Sequence, residues 1–89
     1  MQRAVKVFID PKAGLLLEKL PNSAKKKFTK QINFLKDSSS HPSLHFKKVG
    51  NYWSLRIDDN YRALAYNNLD YILVIWVGSH KDYEKKIRK

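Results

Sequence analysis

The chain contains no cysteine in its 89 residues, so disulfides and thiolate metal sites are excluded. Long apolar runs are also missing. The longest, Tyr71 to Val77, falls far short of the ~20 residues a membrane-spanning helix needs. The opening Met1-Gln2-Arg3-Ala4-Val5-Lys6 lacks an apolar core, so no secretory signal is expected. There is no internal repeat and no low-complexity tract. Together these absences predict a soluble, cytoplasmic protein with no membrane and no small-molecule cofactor. Acidic residues are scarce too: 8 Asp and Glu stand against 18 Lys and Arg, a formal net charge of +10.

That imbalance is the first positive clue. Self-repulsion on this scale destabilises a compact chain, and a polyanionic partner relieves it. Nucleic acid is the first candidate, an acidic protein the second and an anionic membrane surface the third. A hydrophobic content of 43% is ordinary for a globular protein, and the length suits one domain over residues 1–89. So small a core gives modest stability, so a partner that wraps the chain would matter for its survival.

Val5, Val7 and Ile9 alternate with Lys6 and Phe8, the period of a strand. Asp10-Pro11 ends it, Asp as a helix cap and Pro at the first helical position. Leu16, Leu17 and Leu20 make a short apolar helix that stops at Pro21. Asn22 or Ser23 is expected to cap the next helix, in which Ala24, Phe28, Ile32 and Leu35 form one stripe and Lys25, Lys26, Lys27, Lys30 and Lys36 take much of the rest. The segment from Asp37 to Ser43 reads as loop. Four strands follow, Leu44–Val49, Tyr52–Asp58, Tyr61–Asn67 and Tyr71–Val77, with turn residues between the successive pairs, so they are expected to be antiparallel neighbours. The last shows no alternation, which suits a central strand covered on both faces. Gly78-Ser79 is expected to break it, and His80 to Lys89 to form a short basic helix or tail. The predicted class is α+β: two N-terminal helices as an αα-hairpin on a mainly antiparallel sheet, then a short C-terminal helix. The first strand is expected to join the same sheet.

One hairpin carries candidate chemistry. On its first strand Trp53, Leu55 and Ile57 share a face, leaving Ser54, Arg56 and Asp58 on the other. A three-residue loop, Asp58-Asp59-Asn60 with Asn60 left-handed, pairs Arg56 with Arg62; a two-residue loop puts the arginines on opposite faces. Adjacent guanidiniums repel, and a phosphate would relieve them because arginine binds it bidentately. The alternative is that each arginine pairs with Asp58, Asp59 or Asp82 on the surface.

The stretch Tyr52-Trp53-Ser54-Leu55-Arg56-Ile57, then Tyr61-Arg62-Ala63-Leu64, then an apolar strand ending in Gly78-Ser79-His80 with Tyr83 beyond, resembles the RelE/ParE superfamily of toxin–antitoxin toxins. The Trp-Ser-Leu-Arg-Ile spacing is most similar to the HigB-like branch, and His41 to Lys48 resembles the approach to the hairpin in such proteins. The resemblance covers nearly the whole chain, and its specificity lies in the combination of individually loose motifs. It implies a ribosome-associated endoribonuclease that cuts mRNA without a metal ion and is held inactive by a cognate antitoxin. In that chemistry the ribose 2′-OH attacks the neighbouring phosphorus, which requires a base, an acid and cations. By resemblance Arg62 would hold the scissile phosphate with support from Arg56. His80 would be the acid or base, since histidine titrates near neutrality, and Tyr83 would stack on a base or assist proton transfer. Lys47, Lys48, His45 and Lys81 would add RNA contacts.

Departures from the family pattern leave the acid and base unassigned. Some RelE-branch enzymes have two lysines on the strand where this chain has Trp53, Ser54 and Leu55, and an arginine where it has Ser79, His80 and Lys81. ParE-like members act on DNA gyrase and typically lack the nuclease set, so a gyrase-inhibiting toxin is one alternative. A non-catalytic basic RNA-binding domain on the same scaffold is another. His41 and His45 are four apart, but Pro42 prevents a regular helix across them, so a metal pair is not expected. His80 has the alternative role of capping the last helix. Trp53 and Trp76 are expected in the core. Of Tyr52, Tyr61, Tyr66 and Tyr71, one or two could stack on bases from an open face of the sheet.

Overall fold

Strand β1 (Lys6–Ile9) leads directly into helix α1 (Pro11–Glu18), with Asp10 at the cap: its carboxylate accepts from the Lys12 amide at 3.0 Å, and Pro11 opens the helix. The computed structural model of the chain describes residues 6–37, 42–68 and 70–88, so Val5 and His41 lie outside the described residues. Helix α2 (Asn22–Asp37) buries the predicted stripe of Ala24, Phe28, Ile32 and Leu35, none more than 7% exposed. Burying each large apolar side chain contributes about 1.5–3 kcal/mol. Neither Asn22 nor Ser23 precedes α2 as its cap. Both lie inside it, and the Pro21 carbonyl accepts from Ala24 and Lys25, each at 3.0 Å.

After a short 3₁₀ turn (Pro42–Leu44) come β2 (Lys47–Val49), β3 (Tyr52–Arg56), β4 (Tyr61–Asn67) and β5 (Tyr71–Ser79), and then helix α3 (His80–Ile87). The five strands form one sheet in the order β1-β5-β4-β3-β2. The three hairpin pairings are antiparallel, and β1 joins β5 in parallel. Among the described residues no helix is long and apolar enough to cross a membrane.

Helices α1 and α2 cover one face of the sheet. There Ala13, Phe28, Ile32 and Leu35 meet Leu55, Ile57, Ala63, Ala65, Ile72, Val74 and Val77, with Leu44 closing one end. Paired residues share a face, so the rows Ser54–Leu64–Trp76 and Arg56–Arg62–Gly78 lie on the other side. Helix α3 packs on that second face through Tyr83, which is 7% exposed.

The missing alternation in β5 has a geometric cause. Leu64 pairs with Trp76 and Ala65 with Val74, so Ile75 is an extra, bulged residue. Val74 and Val77 are three apart, yet both reach the helix-covered core because the bulge resets the period. The strand also runs through Gly78 and Ser79 rather than breaking there. A side chain at Gly78 would collide with the Trp76 indole, placing a Cβ 2.5 Å from the ring, so the indole lies across the glycine. Trp76 and Trp53 are half-buried rather than core. Trp53 instead stacks on Phe46 with ring centroids 4.9 Å apart.

Candidate active site

The β3–β4 hairpin turns through three residues, Asp58 to Asn60, and its register places Arg56 directly opposite Arg62. Asn60 does not adopt the expected left-handed conformation; among the described non-glycine residues only His45 has positive φ, at 46°. The Asp58 carboxylate shapes the loop instead, accepting from the Asn60 amide at 2.8 Å and the Tyr61 amide at 2.9 Å. The Tyr61 carbonyl completes it by accepting from Ile57 and Asp58.

Both guanidiniums turn toward this loop. Arg56 Nη2 forms an ion pair with Asp59 Oδ1, one of the surface pairings weighed from sequence. Arg62 Nη1 donates to the Asp58 carbonyl and, at 3.0 Å, to the Tyr61 carbonyl. The hydrogen bond and then the charge of Arg56 hold the Asp59 carboxyl below its ordinary range, with smaller help from Lys27 and Arg62.

The same loop fixes the start of α3, because the His80 amide donates to the Asn60 carbonyl at 2.8 Å. Ser79, not His80, is the cap: its hydroxyl accepts from the Asp82 amide at 3.1 Å. The His80 imidazole is therefore uncommitted to capping. It lies nearly parallel to the Tyr83 ring, with centroids 5.9 Å apart and planes 18° apart. Its Nε2 is 3.7 Å from Glu84 Oε2, and 47% of its side chain is exposed.

These groups converge on a hollow of about 160 Å³ lined by His45, Lys47, Ser54, Arg56, Arg62, His80 and Tyr83. Six of the eight residues singled out from sequence meet here, although they come from β2, β3, β4, α3 and the turn before β2. The other two do not line it. Lys48 pairs with Trp53 and so faces away from Lys47, whose partner is Ser54. Lys81 is exposed on the first turn of α3. Tyr83 is too covered to offer an open ring face to a base. Its contribution is to the wall of the hollow.

Sequence reasoning missed three supporting residues. Ser54 is 4% exposed and lines the hollow opposite Lys47. Glu84 stands one helical turn beyond His80, a spacing that places the two side chains together. Gln31, 5% exposed, braces β3 from below: Nε2 donates to the Arg56 carbonyl at 2.7 Å and the Ser43 carbonyl at 3.0 Å, while the Ser43 hydroxyl donates to Oε1 at 3.3 Å. Its position between Phe28 and Leu35 on the apolar side of α2 was the available signal. Among the described residues no group of three or more His, Asp or Glu is placed to hold a metal ion.

The hollow is thus lined by two arginines, a lysine, two histidines and a tyrosine, together with Ser54. Such a set can bind a phosphate group and exchange protons with atoms bonded to it.

A family model described as a ParE-like toxin domain matches residues 23–85. No curated protein matches by sequence. Among solved structures, the RelB–RelE antitoxin–toxin complex of Methanococcus jannaschii includes a chain 22% identical, with a TM-score of 0.73 over 91% of this chain and 99% of that one. A mutant RelE toxin of E. coli in the free state is 17% identical, with a TM-score of 0.70 over 91% and 88%. The YoeB/ParE toxin of Agrobacterium tumefaciens is 16% identical, with a TM-score of 0.68 over 85% and 99%. At these identities the likeness speaks for the fold.

Proposed function

The chain belongs to the ParE-like toxin family, and from that premise we propose that it is the toxin of a toxin–antitoxin pair and cleaves mRNA on the ribosome. The observation that carries the reading is the convergence of Arg56, Arg62, Lys47, His45, His80 and Tyr83 on one phosphate-sized hollow.

In this reading the scissile phosphate enters the hollow against Arg62 and Arg56, which stabilise the charge that builds up on the phosphorane oxygens. The ribose 2′-OH attacks the adjacent phosphorus. Its proton passes to a base, and the departing 5′-oxygen takes one from an acid, leaving a cyclic phosphate. His80 fills one of these roles, with Glu84 orienting the imidazole at 3.7 Å. His45 and Tyr83 also border the hollow and compete for the other. Lys47 adds positive charge at its edge. Incoming phosphate competes with Asp59 for Arg56 and meets the N–H groups of Arg62 that the loop carbonyls leave over.

The partners in this reading are the ribosome, mRNA and a cognate antitoxin whose acidic segment would neutralise the basic face. Antitoxins accompany several relatives of the same fold, including the RelB–RelE complex. Primer extension on cellular mRNA after induced expression tests the proposal. Defined cleavage sites are expected, and they should vanish in the Arg62→Ala and His80→Ala variants. The family description favours one rival, a gyrase-directed toxin of the ParE type. That rival predicts DNA breaks with intact mRNA in the same cells.

A further inference from the structure

Arg56 borders two hollows. Besides the one shared with Arg62 and His80, it lines a larger space of about 380 Å³ on the α2 side of the hairpin loop. Lys27, Lys30, Gln31 and Phe34 form one wall of that space, all from a single face of α2. Its volume lies within the ~300–1,000 Å³ typical of small-molecule sites, whereas the first hollow is smaller.

The chemistry of the lining is that of a backbone cradle. Lys30 holds its ammonium over the Phe34 ring, 5.8 Å from the centroid, which keeps the charge at the rim above an apolar floor. Lys27 supplies a second cation close enough to help depress the Asp59 carboxyl. Two acids also line the space, but both are engaged: Asp59 by Arg56 and Asp58 by the Asn60 and Tyr61 amides. Gln31 spends its amide on the Arg56 and Ser43 carbonyls, so it fixes the wall rather than meeting a ligand.

We infer that this second hollow is a subsite for the sugar–phosphate backbone of a single RNA strand, with Lys27 and Lys30 taking a phosphate neighbouring the one held by Arg62. The inference rests on the RNA-cleaving reading and deepens it. Arg56 stands between the hollows and guides the strand from one to the other. Backbone contact of this kind is independent of base identity and strongly dependent on salt.

The test uses the full chain and single-stranded 2′-O-methyl RNA, which lacks the attacking hydroxyl. Binding of a dinucleotide and of an octanucleotide is followed by fluorescence anisotropy across a salt series. In Lys27→Gln/Lys30→Gln, octanucleotide binding should weaken several-fold and its salt slope should shrink by about 0.7, the share of one phosphate on a single strand, while the dinucleotide is unaffected. Lys26→Gln/Lys36→Gln removes the same charge from α2 outside the hollow and should leave the slope nearly intact. An unchanged slope in the first pair, or an equal loss in both pairs, would overturn the subsite. If the unaltered protein fails to bind the dinucleotide, the first hollow and the cleavage reading fall instead, while a Lys27/Lys30-dependent octanucleotide slope would still sustain this one.

Discussion

Arg56 and Arg62 face each other across the β3–β4 hairpin, and each guanidinium is held by the loop between them. Two cations placed together would repel in isolation. Here one is neutralised by the Asp59 carboxylate, and the other leans on the negative ends of two peptide carbonyls. The protein thus stores a pair of anion-binding groups in a satisfied state that a phosphate can take over.

Replacing Arg62 by Ala should lower mRNA cleavage by about 10²–10³-fold, the range for losing one preorganised charge-stabilising donor. His80→Ala should lower it by about 10²–10⁴-fold. Circular dichroism and antitoxin co-purification should be nearly unchanged in both. Cleavage at the unaltered rate in both variants would remove these residues from the mechanism.

Asp59→Asn should free Arg56 and tighten dinucleotide binding several-fold at pH 7, measured by the same anisotropy assay. Its acid behaviour should change in a defined direction. The Asp59 carboxyl is held below its ordinary 3.8, so the Arg56–Asp59 pair stabilises the fold fully above that value and is lost as pH falls below it. Exposure to solvent keeps the contribution small. Acid titrations of the two proteins should therefore separate above pH 3.8 and converge below it; separation in the opposite sense would refute the pairing.

Gln31→Leu should destabilise the fold by about 1–3 kcal/mol, because it removes the amide that donates to the part-buried Arg56 and Ser43 carbonyls. Urea denaturation measures this directly. Since the brace ends at the Arg56 backbone, dinucleotide binding should weaken under conditions where the variant is still folded.

Gly78→Ala should cost about 1–3 kcal/mol, because the Trp76 indole must leave its place across the glycine. A shifted tryptophan emission maximum should accompany the loss. Unchanged emission and stability would mean the indole has room to spare.

Much of the architecture was legible in the residues. The stripe of Ala24, Phe28, Ile32 and Leu35 is local and periodic, so it identified α2 and its buried face directly. The pairing of Arg56 with Arg62 followed from a loop of three, although the device that closes the loop is the Asp58 carboxylate rather than a left-handed Asn60. Lys47 and Lys48 could not be told apart, because the start of β2 decides which of them faces Ser54. Gln31 and Glu84 escaped notice because their worth depends on partners: Gln31 on Ser43 and Arg56, remote along the chain, and Glu84 on the angle at which α3 leaves the sheet. The cover over Trp53 and Trp76 likewise depends on neighbours that composition alone does not specify.

The bulge at Ile75 makes β5 a strand with two conventions for inside and outside. Before it, parity is set by the helices; after it, by the hollow, so Trp76 and Gly78 come to lie in the same rows as Ser54 and Arg56. Pairing Ile75 in a regular ladder would force a choice: either Ile72 and Val74 turn outward, or the Trp76–Gly78 platform turns under α1 and α2, whereas deleting Ile75 would leave both sets on their present faces. Setting Ile75 aside in a bulge thus lets a single strand serve both the interior and the chemistry.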